Sequence, residues 1–372
     1  MKKIIGFIIL TLTLSPLLWA TSKTLPQGVW KIDAYQNNYE ITEVGANPSG
    51  DKVTWERKGL KDAVLGDVYL FTFLDSSAVA PLNLDLTTKV ANYWKKRKTH
   101  LDISYGLTDK FTLFANMSHE QSVLDYTDGY VHQSLIIENV LGDSYELKPD
   151  NAEANHMNDI FVGFKYKLTK NTAFAYKMTS NFLKVGIDAN EKRLEDGYQE
   201  LETSQGYDEY HVYLFKDTSI GNQPIHLTAG YAFLGKTFQN FLDNKNIKIN
   251  AGNLAIMKVA VPISLPQNIS INTSITGISH ERDKYRGGNS AFINTDPTSL
   301  RSGHEGWTKV PNSNGFTTLG SIELVYQPKI FLRTFLNTTF IMTNDIKGQI
   351  YDFPGRIQPG TMVIAGLTLF AK

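Results

Sequence analysis

Along much of this chain apolar residues return at every second position, over stretches of about nine residues, the length that crosses a bilayer as a tilted strand. Leu101, Ile103 and Tyr105 alternate with Asp102 and Ser104, and Phe111, Leu113, Ala115 and Met117 alternate with Thr112, Asn116 and Ser118. A period of two places successive side chains on opposite faces of a strand and is incompatible with an amphipathic helix. Only Leu107-Thr108-Asp109 separates the two runs, so spacing and turn chemistry read as a hairpin. The unit recurs as Ile160, Val162, Phe164 and Tyr166, the turn Thr169-Lys170-Asn171, then Phe174, Tyr176 and Met178. Further pairs are Val212 and Leu214 with Ile225, Leu227, Ala229 and Tyr231; Ala255, Met257, Val259 and Val261 with Ile269, Ile271 and Ile275; and Ile322, Leu324 and Tyr326 with Leu332, Leu336 and Phe340. Val29 to Tyr39 reads as the first strand and Thr361 to Phe370 as the last.

The connections give the topology. Short turns near 107–109, 169–171, 217–223, 264–268 and 327–329 alternate with long polar segments near 40–96, 121–155, 184–206, 236–250, 281–314 and 343–358. Bacterial outer-membrane barrels show this asymmetry, with short periplasmic turns, long outer loops and an even strand number. The expected fold is all-β: a transmembrane antiparallel up-and-down β-barrel of about twelve strands, range ten to fourteen, with both termini periplasmic. A soluble β-sandwich also alternates, but its strands are shorter, and loops of about 30 residues are unusual in a compact domain. Within 40–96, the apolar island Ala63 to Leu74 reads as a constriction folded into the lumen, a lip on the wall, or an additional strand.

Residues 1–20 read as a signal peptide: Lys2 and Lys3 precede the apolar run Ile4 to Leu14, and Ala20 supplies a small residue for cleavage, although Leu18 stands where another small residue is preferred. The run is shorter than the roughly 20 residues of a spanning helix. The expected organisation is therefore a signal peptide, 1–20, and one barrel domain, 21–372, in which 40–96 is a long first loop or a plug. Mean hydropathy of -0.24 argues against a helical membrane protein but not against a barrel, whose strands are only half apolar. Zero cysteines remove disulfides and thiolate chemistry, and 37 basic against 37 acidic residues gives no support to a nucleic-acid partner. No cofactor is expected. The expected partners are outer-membrane lipid and lipopolysaccharide, together with an unidentified small-molecule solute.

In lipid the apolar parity must face outward, because a Lys or Arg on a barrel's outer face costs about 2–4 kcal/mol at the midplane. The opposite parity then lines the lumen: Lys31, Asp33, Asp102, Ser104, Asn116, Lys165, Lys177, Glu209, His211, Lys258, Asn272, Glu323 and Arg333. Two readings remain open, a solute pathway and a structural polar core in which opposite charges pair. A barrel near twelve strands has room for a narrow conduit or a plug. Mixed charge disfavours strong ion selectivity, so uncharged or hydrophobic solutes fit better.

Two other classes were weighed. A hydrolase would need a nucleophile, a His base and an orienting group at one depth. His119-Glu120-Gln121-Ser122, His280-Glu281-Arg282-Asp283 and His156 fall at outer strand ends, but Glu120 and His280 take the inward parity and His119 the outward. No catalytic or metal-binding residue is assigned, and no enzyme activity is expected. In the remaining class the barrel is a structural anchor and the long outer loops, 121–155 and 281–314 above all, form an interaction surface.

Tyr105-Gly106-Leu107-Thr108-Asp109-Lys110-Phe111-Thr112-Leu113 resembles the hairpins of the outer-membrane family named for the MetA pathway of phenol degradation, a group of transporter-like barrels. Leu25-Pro26-Gln27-Gly28-Val29-Trp30 is similar to the opening of that family's first strand, and Asn158 to Tyr166 to another of its strands. The resemblance implies an outer-membrane barrel that admits hydrophobic or aromatic small molecules. It brings no catalytic residues.

Overall fold

The computed structural model describes residues 21–46, 52–54, 90–127, 152–180, 183, 208–241, 244–287, 304–309, 314–344, 357–359 and 361–372. The signal segment 1–20 and the island Ala63 to Leu74 lie outside them. Fifteen strands join one sheet, and three of these, Lys52–Thr54, Ala152–Met157 and Ile357–Pro359, are short additions at strand ends. The other twelve are β1 (Trp30–Ala46), β2 (Val90–Thr108), β3 (Phe111–Thr127), β4 (Phe161–Thr169), β5 (Thr172–Thr179), β6 (Glu209–Ile220), β7 (Gln223–Leu234), β8 (Leu254–Leu265), β9 (Ile269–His280), β10 (Gly315–Lys329), β11 (Leu332–Asn344) and β12 (Met362–Ala371).

Each strand pairs antiparallel with its neighbours in sequence. β1 also pairs with β12, from Trp30 opposite Ala371 to Asn38 opposite Val363, while its other edge runs from Trp30 opposite Tyr105 to Ile41 opposite Trp94. The sheet is therefore closed. At a strand spacing of about 4.8 Å and a tilt near 40°, twelve strands enclose a cylinder about 24 Å across between backbones, wider than the eight-strand barrels whose side chains fill the interior. No helix among the described residues is long and apolar enough to cross a membrane.

Five connections are tight. β6 and β7 meet at Gly221-Asn222, with Ile220 paired to Gln223 and a φ of +58° at Gly221, as the first central position of a type II′ hairpin turn requires. The expected turn at 217–223 was too wide, and β2, β6 and β10 all run further toward their turns than alternation alone implied. The long segments are corrected more substantially. β1 continues to Ala46 and β2 begins at Val90, so the connection expected over 40–96 is strand at both ends, and β3 continues to Thr127, into the connection expected over 121–155. Segments 236–250 and 281–314 contribute a separate four-stranded sheet of Lys236–Phe241, Asn244–Asn250, Lys284–Gly287 and His304–Lys309. Alternation missed these parts for a physical reason: beyond the lipid a strand needs no apolar parity, so it pairs without the signal.

The lipid-facing parity carries Leu113, Leu214, Phe233, Met257, Ile275, Ile322, Leu324, Leu336 and Leu367, all exposed. Toward the tight-turn end an aromatic band forms on β1 to β5. Trp30 lies 4.6 Å from Tyr105 between ring centroids, Phe111 stacks on Phe164 at 5.3 Å, and Phe164 lies 6.0 Å from Tyr176. Such bands mark the interface with headgroups.

Glycines receive rings where neighbouring strands face one another. A Cβ on Gly230 would stand 2.5 Å from Cδ1 and 2.7 Å from Cε1 of Tyr213, whose ring lies across it inside the barrel. We expect Gly230→Ala to lower stability by about 1–3 kcal/mol through overpacking, and to cost clearly less in a Tyr213→Ala background, as read from the thermal unfolding of the refolded barrel. Equal losses in both backgrounds would show that the ring is not what fills the site.

Candidate functional site: the barrel lumen

In a closed sheet the buried parity faces inward, and the thirteen residues selected by alternation all take it. Lys31, Asp33, Asp102, Lys165, Glu209, His211, Asn272 and Glu323 are buried, while Ser104, Asn116, Lys177, Lys258 and Arg333 are partly so. They do not form one site. They divide into clasps at different heights, in each of which a carboxylate is met by cations or donors.

On β1 and β2, Lys31 is paired with Asp33, whose other oxygen accepts a 2.6 Å bond from the Thr368 hydroxyl. Asp102, directly across from Asp33, accepts from the Tyr35 hydroxyl at 3.2 Å and from Asn116, while Ser104 faces Lys31. On β9 to β11, Glu323 accepts from Arg333 at 2.7 Å and Asn272 at 3.4 Å. On β6, His211 lies 2.9 Å from Glu209 and 3.3 Å from the Tyr213 hydroxyl. Lys177 sits over the Phe161 ring at 4.3 Å and Lys165 over Phe215 at 4.2 Å. Burying these charges unpaired would cost several kcal/mol each, so the pairing is the condition for placing them there at all.

Sequence reasoning missed three features of this lumen. The first is a clasp near the long-loop end, where Glu120 receives Lys96 at 2.6 Å, Lys98 at 3.0 Å and the Asn158 amide at 3.2 Å. Glu120 takes the inward parity expected of it, whereas Lys96 falls within the connection expected over 40–96 and Lys98 between that connection and the alternation that begins at Leu101. His119, by contrast, faces outward opposite Thr99, and His280 lies inward, 3.4 Å from Asp283.

The second is residues Thr21 to Val29, which turn back across the tight-turn end. Leu25 N–H donates to Thr112 Oγ1 at 2.9 Å, the Lys165 ammonium donates to the Thr21 carbonyl, and Ser22 donates to Asp217 from both its backbone N–H at 3.0 Å and its hydroxyl at 2.7 Å. Thr112, Lys165 and Asp217 belong to β3, β4 and β6, so this segment passes inside the barrel across several strands. Ser22 and Leu25 are buried there.

The third is an aliphatic wall. Ala232 and Leu234 on β7, Leu254, Ile256 and Ala260 on β8, Ile278 on β9, Leu319 on β10, and Met362 and Ile364 on β12 all face inward and are buried. Alternation could not reveal it, because Ala255, Met257 and Val259 of β8 are apolar on the other parity too. The lumen is therefore two-sided, with ion-paired groups concentrated on β1 to β6 and an aliphatic surface on β7 to β12 toward the long-loop end.

The Glu120 clasp yields a stability test. We expect Glu120→Gln, which leaves two buried lysines without their carboxylate, to destabilise the barrel by about 3–5 kcal/mol. The triple replacement Lys96→Met, Lys98→Met and Glu120→Leu should cost less than the single one. Urea unfolding of refolded protein measures both, and a triple variant weaker than the single would contradict the role given to charge pairing.

No family model matches the chain, and no curated protein matches it. The resemblance to the phenol-degradation barrels therefore rests on the stretches quoted above. Solved structures do match. The COG4313 outer membrane channel from Pseudomonas putida F1 superposes with a TM-score of 0.55 at 9% identity, over 94% of this chain and 98% of that one. A Pseudomonas aeruginosa FadL homologue gives 0.37 at 11% identity over 92% and 89%, and a mutant of the TodX monoaromatic hydrocarbon channel gives 0.38 at 11% over 94% and 91%. The first likeness agrees with the strand order in showing what this chain is as a fold: an all-β, closed twelve-strand antiparallel barrel of the kind built by outer-membrane channels.

Proposed function

We propose that this protein is an outer-membrane channel that passes small hydrophobic or aromatic molecules by passive diffusion, with its tight turns in the periplasm and its long loops outside. The observation that carries the reading is the aliphatic wall of Leu254, Ile256, Ile278, Leu319 and Ile364 inside the barrel. A water-filled pore for ions or sugars gains nothing from such a wall, since apolar surface facing water is unfavourable by about 25 cal/mol per Å². These side chains are buried, so an apolar solute recovers the same quantity by displacing what covers them.

Two further observations support this reading over bulk ion flow. Charged groups on both sides, Lys31 with Asp33, Lys96 and Lys98 with Glu120, and Arg333 with Glu323, are held in pairs of opposite sign, and among the described residues they present no ring of one charge for selecting ions. The segment Thr21–Val29 crosses the tight-turn end, narrowing any aqueous path there. The name of the similar structure with a TM-score of 0.55, an outer membrane channel, supports a channel. Lipid and lipopolysaccharide would surround the barrel.

The test uses uptake of N-phenylnaphthylamine, an apolar fluorescent probe, by Gram-negative cells that make the protein. Uptake should exceed that of cells lacking it, and Ile256→Glu, which places a carboxylate in the aliphatic wall, should lower the excess by about tenfold, equivalent to ~1.4 kcal/mol. Steady ionic steps from the purified protein in a planar bilayer, with no excess probe uptake, would replace this reading with a water-filled pore.

A further inference from the structure

One cation inside the barrel stands outside the pairing that holds the others. Lys31, Lys96, Lys98 and Arg333 each contact a carboxylate, Lys165 donates to the Thr21 carbonyl, and Lys177 lies over the Phe161 ring. Lys258 of β8 takes the inward parity and is partly exposed. Among the described residues its ammonium makes no hydrogen bond, ion pair or ring contact.

The carboxylates nearest to it are engaged elsewhere. The inward parity of β7 to β10 carries one, Glu323, which attracts Lys258 without forming an ion pair with it. Glu323 accepts from Arg333 at 2.7 Å and from Asn272 at 3.4 Å. Two cations around one carboxylate leave a single positive charge in excess. On the adjoining β6, Asp217 accepts twice from Ser22, lies 2.8 Å from His226 and attracts Lys165.

Register places Lys258 at a boundary. Phe215, Thr228, Lys258, Thr276 and Leu319 form one inward row across β6 to β10. Thr228, directly opposite Lys258, has a buried hydroxyl with no hydrogen-bond partner. The next row toward the long loops holds Ile256 and Ile278, and the one beyond it Leu254, all buried. Toward the tight turns the rows become polar: Ser274 is hydrogen-bonded to Ser321 at 2.6 Å, and Asn272 and Glu323 follow. The free ammonium therefore stands at the foot of the aliphatic wall, where apolar rows give way to hydrogen-bonding ones.

We propose that Lys258, with the Thr228 hydroxyl opposite it, is the seat for the acidic end of an apolar monocarboxylate whose body lies against Ile256, Ile278 and Leu319. A cation in a low-dielectric interior without a contacting anion is unfavourable, and a carboxylate that reaches it removes that penalty. The excess of one charge fits a monoanion: a phosphate dianion would bring negative charge that nothing there matches, and a neutral solute would leave the ammonium as it is. Charge-assisted hydrogen bonds from Lys258 then fix one end of the molecule while the wall accepts the other. The inference rests on the channel reading proposed above and narrows its solutes to those with an acidic end.

The experiment titrates the refolded full chain, in uncharged maltoside micelles, with naphthalene carboxylate and with its neutral carboxamide, and reads affinity by calorimetry. The carboxylate should bind about tenfold or more tighter than the carboxamide. That preference should vanish in Lys258→Met and persist in Lys258→Arg and in Lys216→Met, which removes a lipid-facing cation near the tight turns. Without ligand, Lys258→Met should unfold at no lower temperature than the unsubstituted protein, since it deletes a charge that contacts nothing. Equal affinity for the two compounds, or a preference that survives Lys258→Met, overturns the seat. So does a clear fall in the unfolding temperature of Lys258→Met, which would show that the ammonium serves Glu323. The channel reading itself is decided separately, by the uptake of N-phenylnaphthylamine: excess uptake with no preference for the carboxylate overturns the seat alone, and no excess uptake overturns the reading on which it rests.

Discussion

Everything in this structure depends on the hydrogen bonds that join β1 to β12. A sheet in hydrocarbon has no water to satisfy an open edge, and each unsatisfied backbone group costs several kcal/mol, so the sheet is stable there only when its first strand meets its last. The ladder from Trp30–Ala371 to Asn38–Val363 makes that closure. Once closed, the wall has two faces of different meaning, and parity along every strand assigns each side chain to lipid or lumen.

The lumen then becomes a problem in burying charge. Lys31, Asp33, Asp102, Glu120, Glu209 and Glu323 lie inside at very low exposure and are tolerated because each has an opposite charge or a donor in contact. The same pairing spends their charge on structure, so little remains to act on a passing ion. The aliphatic wall has no need of partners. This division of labour underlies the proposal that the two-sided lumen passes apolar solutes rather than inorganic ions.

Alternation displayed the twelve barrel strands in order and the hairpin around Leu107-Thr108-Asp109, because a strand held between lipid and lumen must keep one face free of charge. It failed where that constraint lapses. Lys96, within the expected connection, and Lys98, before the first alternating residue Leu101, are both strand residues, and the four-stranded sheet over 236–309 gave no signal. It also failed where both faces are apolar, as along Leu254 to Val261, where two opposite surfaces share one composition.

The sequence by itself determined the class of fold and the face each strand residue takes, since both follow from a local period of two acting against lipid. Which residues meet across the barrel was decided only by the tertiary structure. Glu120 finds Lys96 and Lys98 through the register of β2 with β3, Thr368 finds Asp33 through the closure of the sheet, and Ser22 finds Asp217 because the segment before β1 turns inward. These partners are up to 335 residues apart, and a pattern that records only alternation carries no information about register or closure.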